Sequence, residues 1–248
     1  MFRLTQQLSF PPVEQADAQG LLCMGGDLSP QRLLRAYVRG IFPWYSANCP
    51  ILWWAPDPRA VLPLDAVHVP RRLARKLRLH PFAITLNRAF PDVIRQCASA
   101  HQEEGESGWL LPEMVAAYTM LHRLGYAHSF EAWTEDGSLA GGLYGVGIGR
   151  AFFGESMFHA VSDASRAALL GLVAFLRQRG AILLDCQQKT RNMARMGCVE
   201  ISRELFMCRL KDALTPVAGE DVFAPWDTRF VFDSSSGAWA RPASDAGA

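Results

Sequence analysis

Long apolar runs are missing from this 248-residue sequence: Ala167 to Leu176 covers only ten residues between Arg166 and Arg177, against the roughly 20 a helix needs to cross a bilayer. No membrane-spanning helix is expected. The N-terminal stretch Met1 to Gln7 lacks the basic start and apolar core of a secretory signal, so the chain is expected in the cytosol. Cys23, Cys49, Cys97, Cys186, Cys198 and Cys208 form no C-x-x-C pair, and the six histidines show no H-E-x-x-H spacing. Neither a disulfide framework nor a metal is expected. Lysine is scarce, only Lys76, Lys189 and Lys211 among 25 basic residues, and the net charge of +1 gives no overall bias toward acidic partners. What is present is half hydrophobic, one-fifth charged and one-tenth aromatic, which excludes a disordered or low-complexity chain. The length suits one or two domains.

Gly25 to Pro30 reads as a turn and a helix start, with Ser29 as N-cap and Pro30 in the first turn. Leu33, Leu34, Tyr37 and Val38 then share a face, and Gly40 stops the helix. The stretches Ile41 to Tyr45 and Ile51 to Arg59 hold too many prolines for a central strand, which predicts aromatic loops. Residues 1–60 thus form a small aromatic-rich N-terminal domain. In residues 61–233 the spacing predicts a basic helix from Arg71, a strand at Ile84 to Leu86, a helix carrying Phe90, Val93, Ile94 and Cys97, and another from Pro112 to His122. An antiparallel meander follows at Ala127 to Trp133, Leu139 to Ile148 and Ala151 to Ser156. Asp163 is expected to cap a buried helix reaching Arg179. A strand at Ala181 to Asp185, a short helix at Arg191 to Met196 and a last strand near Leu205 to Cys208 complete the order. Residues 234–248 read as a disordered tail. The class is α+β with an antiparallel or mixed sheet, an order reminiscent of acetyltransferase-like (GNAT-like) N-acyltransferases, which by itself decides no function.

Several residues are candidates for chemistry. Trp53 and Trp54 are adjacent on an extended segment, so at least one packs inward. Trp44 and Trp109 sit in loops, where they either fill a small core or stack on a purine, a contact of roughly 1 to 3 kcal/mol per base. Arg71, Arg75 and Arg78 fall on one helical face with Arg72 and Lys76 beside them, and residues 66–91 contain six cations and no acid. That helix is either a solvated face or a phosphate-binding one. The glycines from Gly141 to Gly149 follow a hairpin turn rather than opening a helix, and so mark close backbone approach and not a phosphate loop. Glu155 lies in an apolar run and needs a partner if buried, either a ligand ammonium or an arginine. Strand alternation puts Asp185 and Gln187 on one side of a strand end and Cys186 on the other. A nucleophilic Cys186 has no adjacent histidine to activate it, which favours the Asp and the Gln.

The segments Gly25 to Pro30, Tyr37 to Trp44, Leu52 to Arg59, Ala127 to Ser129, Gly141 to Gly145, Gly154 to Phe158 and Asp185 to Gln187 together resemble the bacterial leucyl/phenylalanyl-tRNA protein transferases, in that family's order. The resemblance implies a cytosolic enzyme that moves Leu or Phe, and also Met, from aminoacyl-tRNA to an N-terminal Arg or Lys of a protein, marking it for degradation by the N-end rule. It assigns Trp44 and Trp109 to the terminal adenosine, and Arg71, Arg72, Arg75, Lys76 and Arg78 to the acceptor stem. Leu143, Phe153 and Met157 go to the apolar pocket for the Leu or Phe side chain, and Glu155, Asp185 and Gln187 to the catalytic centre. The aminoacyl ester is activated beforehand, so no cofactor is implied. Asn192 stands where the family commonly has His, and Leu143 where Met is frequent. Two other classes compete. An acyl-coenzyme A transferase would need a pyrophosphate loop before the helix from Ser162 to Arg179, which is missing. An RNA-binding module without catalysis leaves Glu155, Asp185 and Gln187 without a task.

Overall fold

The computed structural model describes residues 2–79, 81–103, 110–217, 221–233 and 236–241. The chain opens with strands β1 (Phe2–Leu4) and β2 (Leu21–Gly25), helix α1 (Pro30–Tyr37), and strands β3 (Phe42–Pro43) and β4 (Leu52–Trp54). These strands form a four-stranded sheet in the order β1-β2-β4-β3. The expectation of aromatic loops fails here, because the prolines flank β4 instead of interrupting it. Pro43 lies on the edge strand β3, where a missing N–H costs least. Trp53 is buried and donates from Nε1 to the Gly25 carbonyl at 2.9 Å, while Trp54 stays partly exposed. Ser29 caps α1 through the Arg32 amide, with Pro30 in the first turn.

From β5 (Arg59–Val61) onward the chain builds a larger sheet. Helix α2 (Arg71–Leu79), strand β6 (Ala83–Leu86) and helices α3 (Phe90–Glu103) and α4 (Pro112–Arg123) precede the meander β7 (Ala127–Trp133), β8 (Leu139–Ile148) and β9 (Ala151–His159). Then come α5 (Ala164–Gln178), β10 (Leu183–Gln187), α6 (Arg191–Arg195), β11 (Val199–Ile201), α7 (Arg203–Ala213), β12 (Val231–Asp233) and β13 (Ala238–Ala240). The sheet order is β11-β5-β10-β9-β8-β7-β6. All neighbours run antiparallel except β9 and β10, which are parallel and joined by the crossover helix α5. Helices α1, α3, α4 and α7 share one face of the sheet with the small sheet, burying Tyr37, Phe90, Tyr118, Phe153 and Phe206. Helix α5 covers the other face with Phe130, Phe152, Phe175, Trp226 and Trp239. A core on each face makes this a mixed α+β molecule in which the big sheet is buried on both sides.

Three expectations need correction. The last strand near Leu205 to Cys208 is instead α7: Ser202 accepts from the Leu205 amide as N-cap, and Phe206, Leu210 and Ala213 recur at helical spacing on the buried side. Asp163 precedes α5 without capping it, since its carboxylate is taken by Lys76 at 2.6 Å and Arg166 at 2.9 Å. The tail expected to be disordered from residue 234 is ordered over 236–241, where Trp239 in β13 is buried and donates to the Gly171 carbonyl at 2.9 Å. Residues 234, 235 and 242–248 lie outside the described residues.

Candidate active site

The parallel pairing of β9 and β10 ends at Phe153 and Asp185; beyond it, β9 pairs only with β8, and β10 with β5. Where the two strands part, a cavity of about 370 Å³ opens. Its apolar wall comes from Leu143 on β8, Met157 on β9, Leu169 and Leu172 on α5, and Leu184 on β10. Trp44 stands against it at 37% exposure, held by a 2.6 Å bond from Trp54 Nε1 to the Trp44 carbonyl. This is a space lined mostly by hydrocarbon, of the size that takes a small ligand.

Two β-bulges shape its polar end. On β9 the register steps from Tyr144–Ser156 to Gly145–Gly154, which leaves Glu155 as the extra residue. Opposite it, a Cβ at Gly145 would lie 2.2 Å from the Phe153 carbonyl oxygen, so no side chain fits there. The bulge also switches the faces of β9: Met157 joins the α5 side, whereas Phe153 packs on the opposite face against Tyr37 at a ring distance of 5.0 Å. Phe153, assigned by resemblance to the donor pocket, therefore does not line the cavity. The second bulge lies on β10, where Asp185 opposes Val61 and Gln187 opposes Ala60, and Gln187 adopts φ 52°. Alternation predicted Asp185 and Gln187 on one side. The extra residue instead turns Cys186 and Gln187 to the cavity and leaves Asp185 behind it, fully buried.

The two carboxylates differ accordingly. Asp185 accepts from Arg59 Nε at 2.8 Å and Arg59 Nη2 at 2.6 Å, and its Oδ1 also accepts from the Gln187 amide at 2.9 Å. Arg59 is itself buried between the Phe42 and Phe206 rings. Its two oxygens are thus committed to the guanidinium and to the Gln187 amide. Glu155 accepts from Tyr118 Oη at 2.8 Å through Oε2, and Tyr118 in turn meets Tyr37 Oη at 2.5 Å. Its Oε1 is shielded from solvent with no hydrogen-bond partner among the described residues. Burial pushes the Glu155 carboxyl up to about 7 against the pull of the two tyrosine hydroxyls, with the Asp185 charge adding to the rise and Arg59 opposing it. The arginine that sequence reasoning offered as a partner for Glu155 belongs to Asp185. Tyr144 Oη and Gln187 Nε2 are also buried without partners among the described residues, and both residues line the cavity. Three residues that line the cavity thus each carry a buried polar atom with no hydrogen-bond partner among the described residues, and such an atom costs stability unless something satisfies it. Cys186 reaches the wall too, but Cys198 beside it and then burial hold its thiol well above the ordinary range, so it stays an un-ionised side chain.

The remaining candidates lie outside this cluster. On α2, Arg71, Arg72, Arg75 and Arg78 are exposed without an ion pair among the described residues, whereas Lys76 is tied to Asp163 at 2.6 Å. The helix is anchored by buried Leu73. Trp109 lies outside the described residues. Among the described residues no group of three or more His, Cys, Asp and Glu side chains is placed to hold a metal ion, and no helix is long and apolar enough to cross a membrane. Sequence reasoning missed Tyr37, Tyr118 and Tyr144 as a phenol set around Glu155, because inward-facing aromatics read as plain core. It also missed Arg59, whose only signal was a cation opening an otherwise apolar strand.

A family model described as leucyl/phenylalanyl-tRNA protein transferase matches residues 61–211, and one described as the N-terminal domain of that transferase matches residues 26–57. Among curated proteins, the leucyl/phenylalanyl-tRNA--protein transferase of Nitratidesulfovibrio vulgaris (strain DP4) is 56% identical over 204 residues, covering 82% of this chain and 87% of that one. Those of Anaeromyxobacter sp. (strain Fw109-5) and Syntrophobacter fumaroxidans are 51% and 52% identical over 214 and 217 residues, covering 86% and 88% of this chain and 91% and 92% of theirs. The solved structure of L-PGS from Bacillus licheniformis overlays with a TM-score of 0.43 at 10% identity, over 78% of this chain and 71% of that one.

Proposed function

The chain belongs to the leucyl/phenylalanyl-tRNA protein transferases, and from that premise we propose that the cavity between β9 and β10 is where the aminoacyl end of the donor tRNA sits. The enzyme transfers Leu or Phe from aminoacyl-tRNA to the N-terminal Arg or Lys of a protein, forming a peptide bond and marking the product by the N-end rule. The observation that carries the assignment of the site is that three residues lining one apolar cavity, Glu155, Tyr144 and Gln187, each carry a buried polar atom with no partner among the described residues. The Leu or Phe side chain packs among Leu143, Met157, Leu172 and Leu184. Met, unbranched at Cβ like Leu and Phe, fits the same space. The donor ammonium takes the free oxygen of Glu155, and Trp44 at the wall stacks on the terminal adenine.

The acceptor α-amine, with a pKa of roughly 8, is partly neutral at physiological pH. It attacks the ester carbonyl carbon; the new C–N bond forms, the ester C–O bond breaks, and the ribose hydroxyl leaves with a proton. Gln187 Nε2 donates to the carbonyl oxygen as charge develops there. Asp185 acts through others: bound to Arg59 and to the Gln187 amide, it holds the bulge that presents Gln187, and is a positioning residue. Arg71, Arg72, Arg75 and Arg78 take acceptor-stem phosphates, with Lys76 joining them when released from Asp163. The element order α3, α4, meander, buried α5 and β10 supports an acetyltransferase-like reading of the large sheet, with the small sheet as a separate N-terminal domain ending near residue 60. The cytoplasm, where charged tRNA is made, is the place for this reaction. The direct test is transfer of radiolabelled Leu from leucyl-tRNA to a protein beginning with Arg. Label is expected at that N-terminus, lost when Gln187 is replaced by Ala and absent from a protein beginning with acetylated Arg; equal labelling of both proteins contradicts the reading.

A further inference from the structure

Asn192 lines no part of the cavity, yet its side chain is tied at both ends. Its Oδ1 accepts from Arg166 Nε at 2.9 Å, and its Nδ2 donates to Met157 Sδ at 3.3 Å. An arginine only donates, so the amide oxygen must face Arg166 and the N–H groups are left for the sulfur. Arg166 is gripped in turn by Asp163 at 2.9 Å, whose other oxygen holds Lys76 at 2.6 Å. Met157 stands opposite Leu143 in the β8–β9 ladder, and both line the cavity. A thioether with three rotatable bonds adapts to whatever it packs against. A hydrogen bond to its sulfur removes much of that freedom.

We propose that Asn192 is a positioning residue that sets donor selectivity: by holding the sulfur of Met157 it fixes the shape of the wall on which the donor side chain packs. This rests on the cavity being the donor pocket. The isosteric Asn192→Asp keeps an acceptor for Arg166 and removes the N–H that reaches the sulfur. In the full-length protein it shifts the ¹³C-methyl NMR signal of Met157. In transfer assays it moves the ratio of kcat/KM for leucyl-tRNA to that for phenylalanyl-tRNA by about three- to tenfold toward unity, within the range that pocket shape commands. In a Met157→Leu background the same substitution leaves the ratio unchanged, as a residue acting only through Met157 requires. An unmoved methyl signal, an unchanged ratio, or a change of equal size with Leu at position 157 overturns the proposal. A shifted methyl signal in a protein that takes neither aminoacyl-tRNA as donor overturns the donor-pocket reading itself, and the selectivity role with it.

Discussion

Glu155 and Asp185 sit on adjacent parallel strands, and their neighbours give them opposite characters. Because the folded protein raises Glu155 from 4.5 to about 7, it binds a proton between those values that the unfolded chain does not. This group's contribution is fully present below about 4.5 and is lost as pH rises through about 7. Glu155→Gln is therefore expected to flatten stability across that window and to raise it relative to wild type at pH 8, measured by urea denaturation at several pH values. Asp185→Asn does the reverse. It leaves the buried Arg59 without its charged partner, which costs about 3 to 5 kcal/mol, and loosens Gln187. Transfer is expected to fall with it, and the proposed positioning role requires that raising the pH does not restore the rate; recovery of turnover at pH 9 would return Asp185 to the role of base. The sequence named both carboxylates through their setting in apolar segments. It did not reveal which one lines the cavity, because that depends on two bulges whose extra residues reverse the alternation on which the reading relied.

The elements themselves were legible where periodicity and caps agree. Ser29 and Pro30 opened α1, the apolar positions of α5 marked it as buried, and the alternating runs with Gly turns gave the meander β7 to β9. Misreadings arose where the deciding contact is distant in sequence. Leu205 to Cys208 has strand-like composition, but the Ser202 cap and the burial of Phe206 and Leu210 make it helical. Trp239 looks like part of a polar tail until α5 provides Gly171 and Gln178 as partners. Trp239→Ala is expected to cost about 3 to 5 kcal/mol by denaturant unfolding; a loss under 1 kcal/mol would mean the ribbon of β12 and β13 does not support α5. Helix α2 contributes charge more than packing, with Leu73 its buried anchor. Replacing Arg71, Arg75 and Arg78 with Ala should weaken tRNA binding and reduce its log–log salt slope by about two to three units, while leaving short aminoacyl-adenosine donors nearly unaffected. Equal loss with both donors would make α2 a structural helix.

For the whole molecule, the two bulged strands, the covering helix α5 and the small sheet that presents Trp44 surround one cavity, lined by three residues whose buried polar atoms have no partner among the described residues. The central claim is that Glu155 holds the ammonium of the donor amino acid there. It is tested most directly by calorimetric affinity of an amide-linked phenylalanyl-adenosine between pH 5.5 and 9. Glu155 is ionised above about 7, and the ligand's amine is protonated below roughly 8. Wild-type affinity is therefore expected to rise toward pH 7, peak between those values and fall above them. Glu155→Gln should bind more weakly at the peak and lose the rising limb. A wild-type affinity that is flat with pH, or a rising limb that survives in Glu155→Gln, would contradict the assignment.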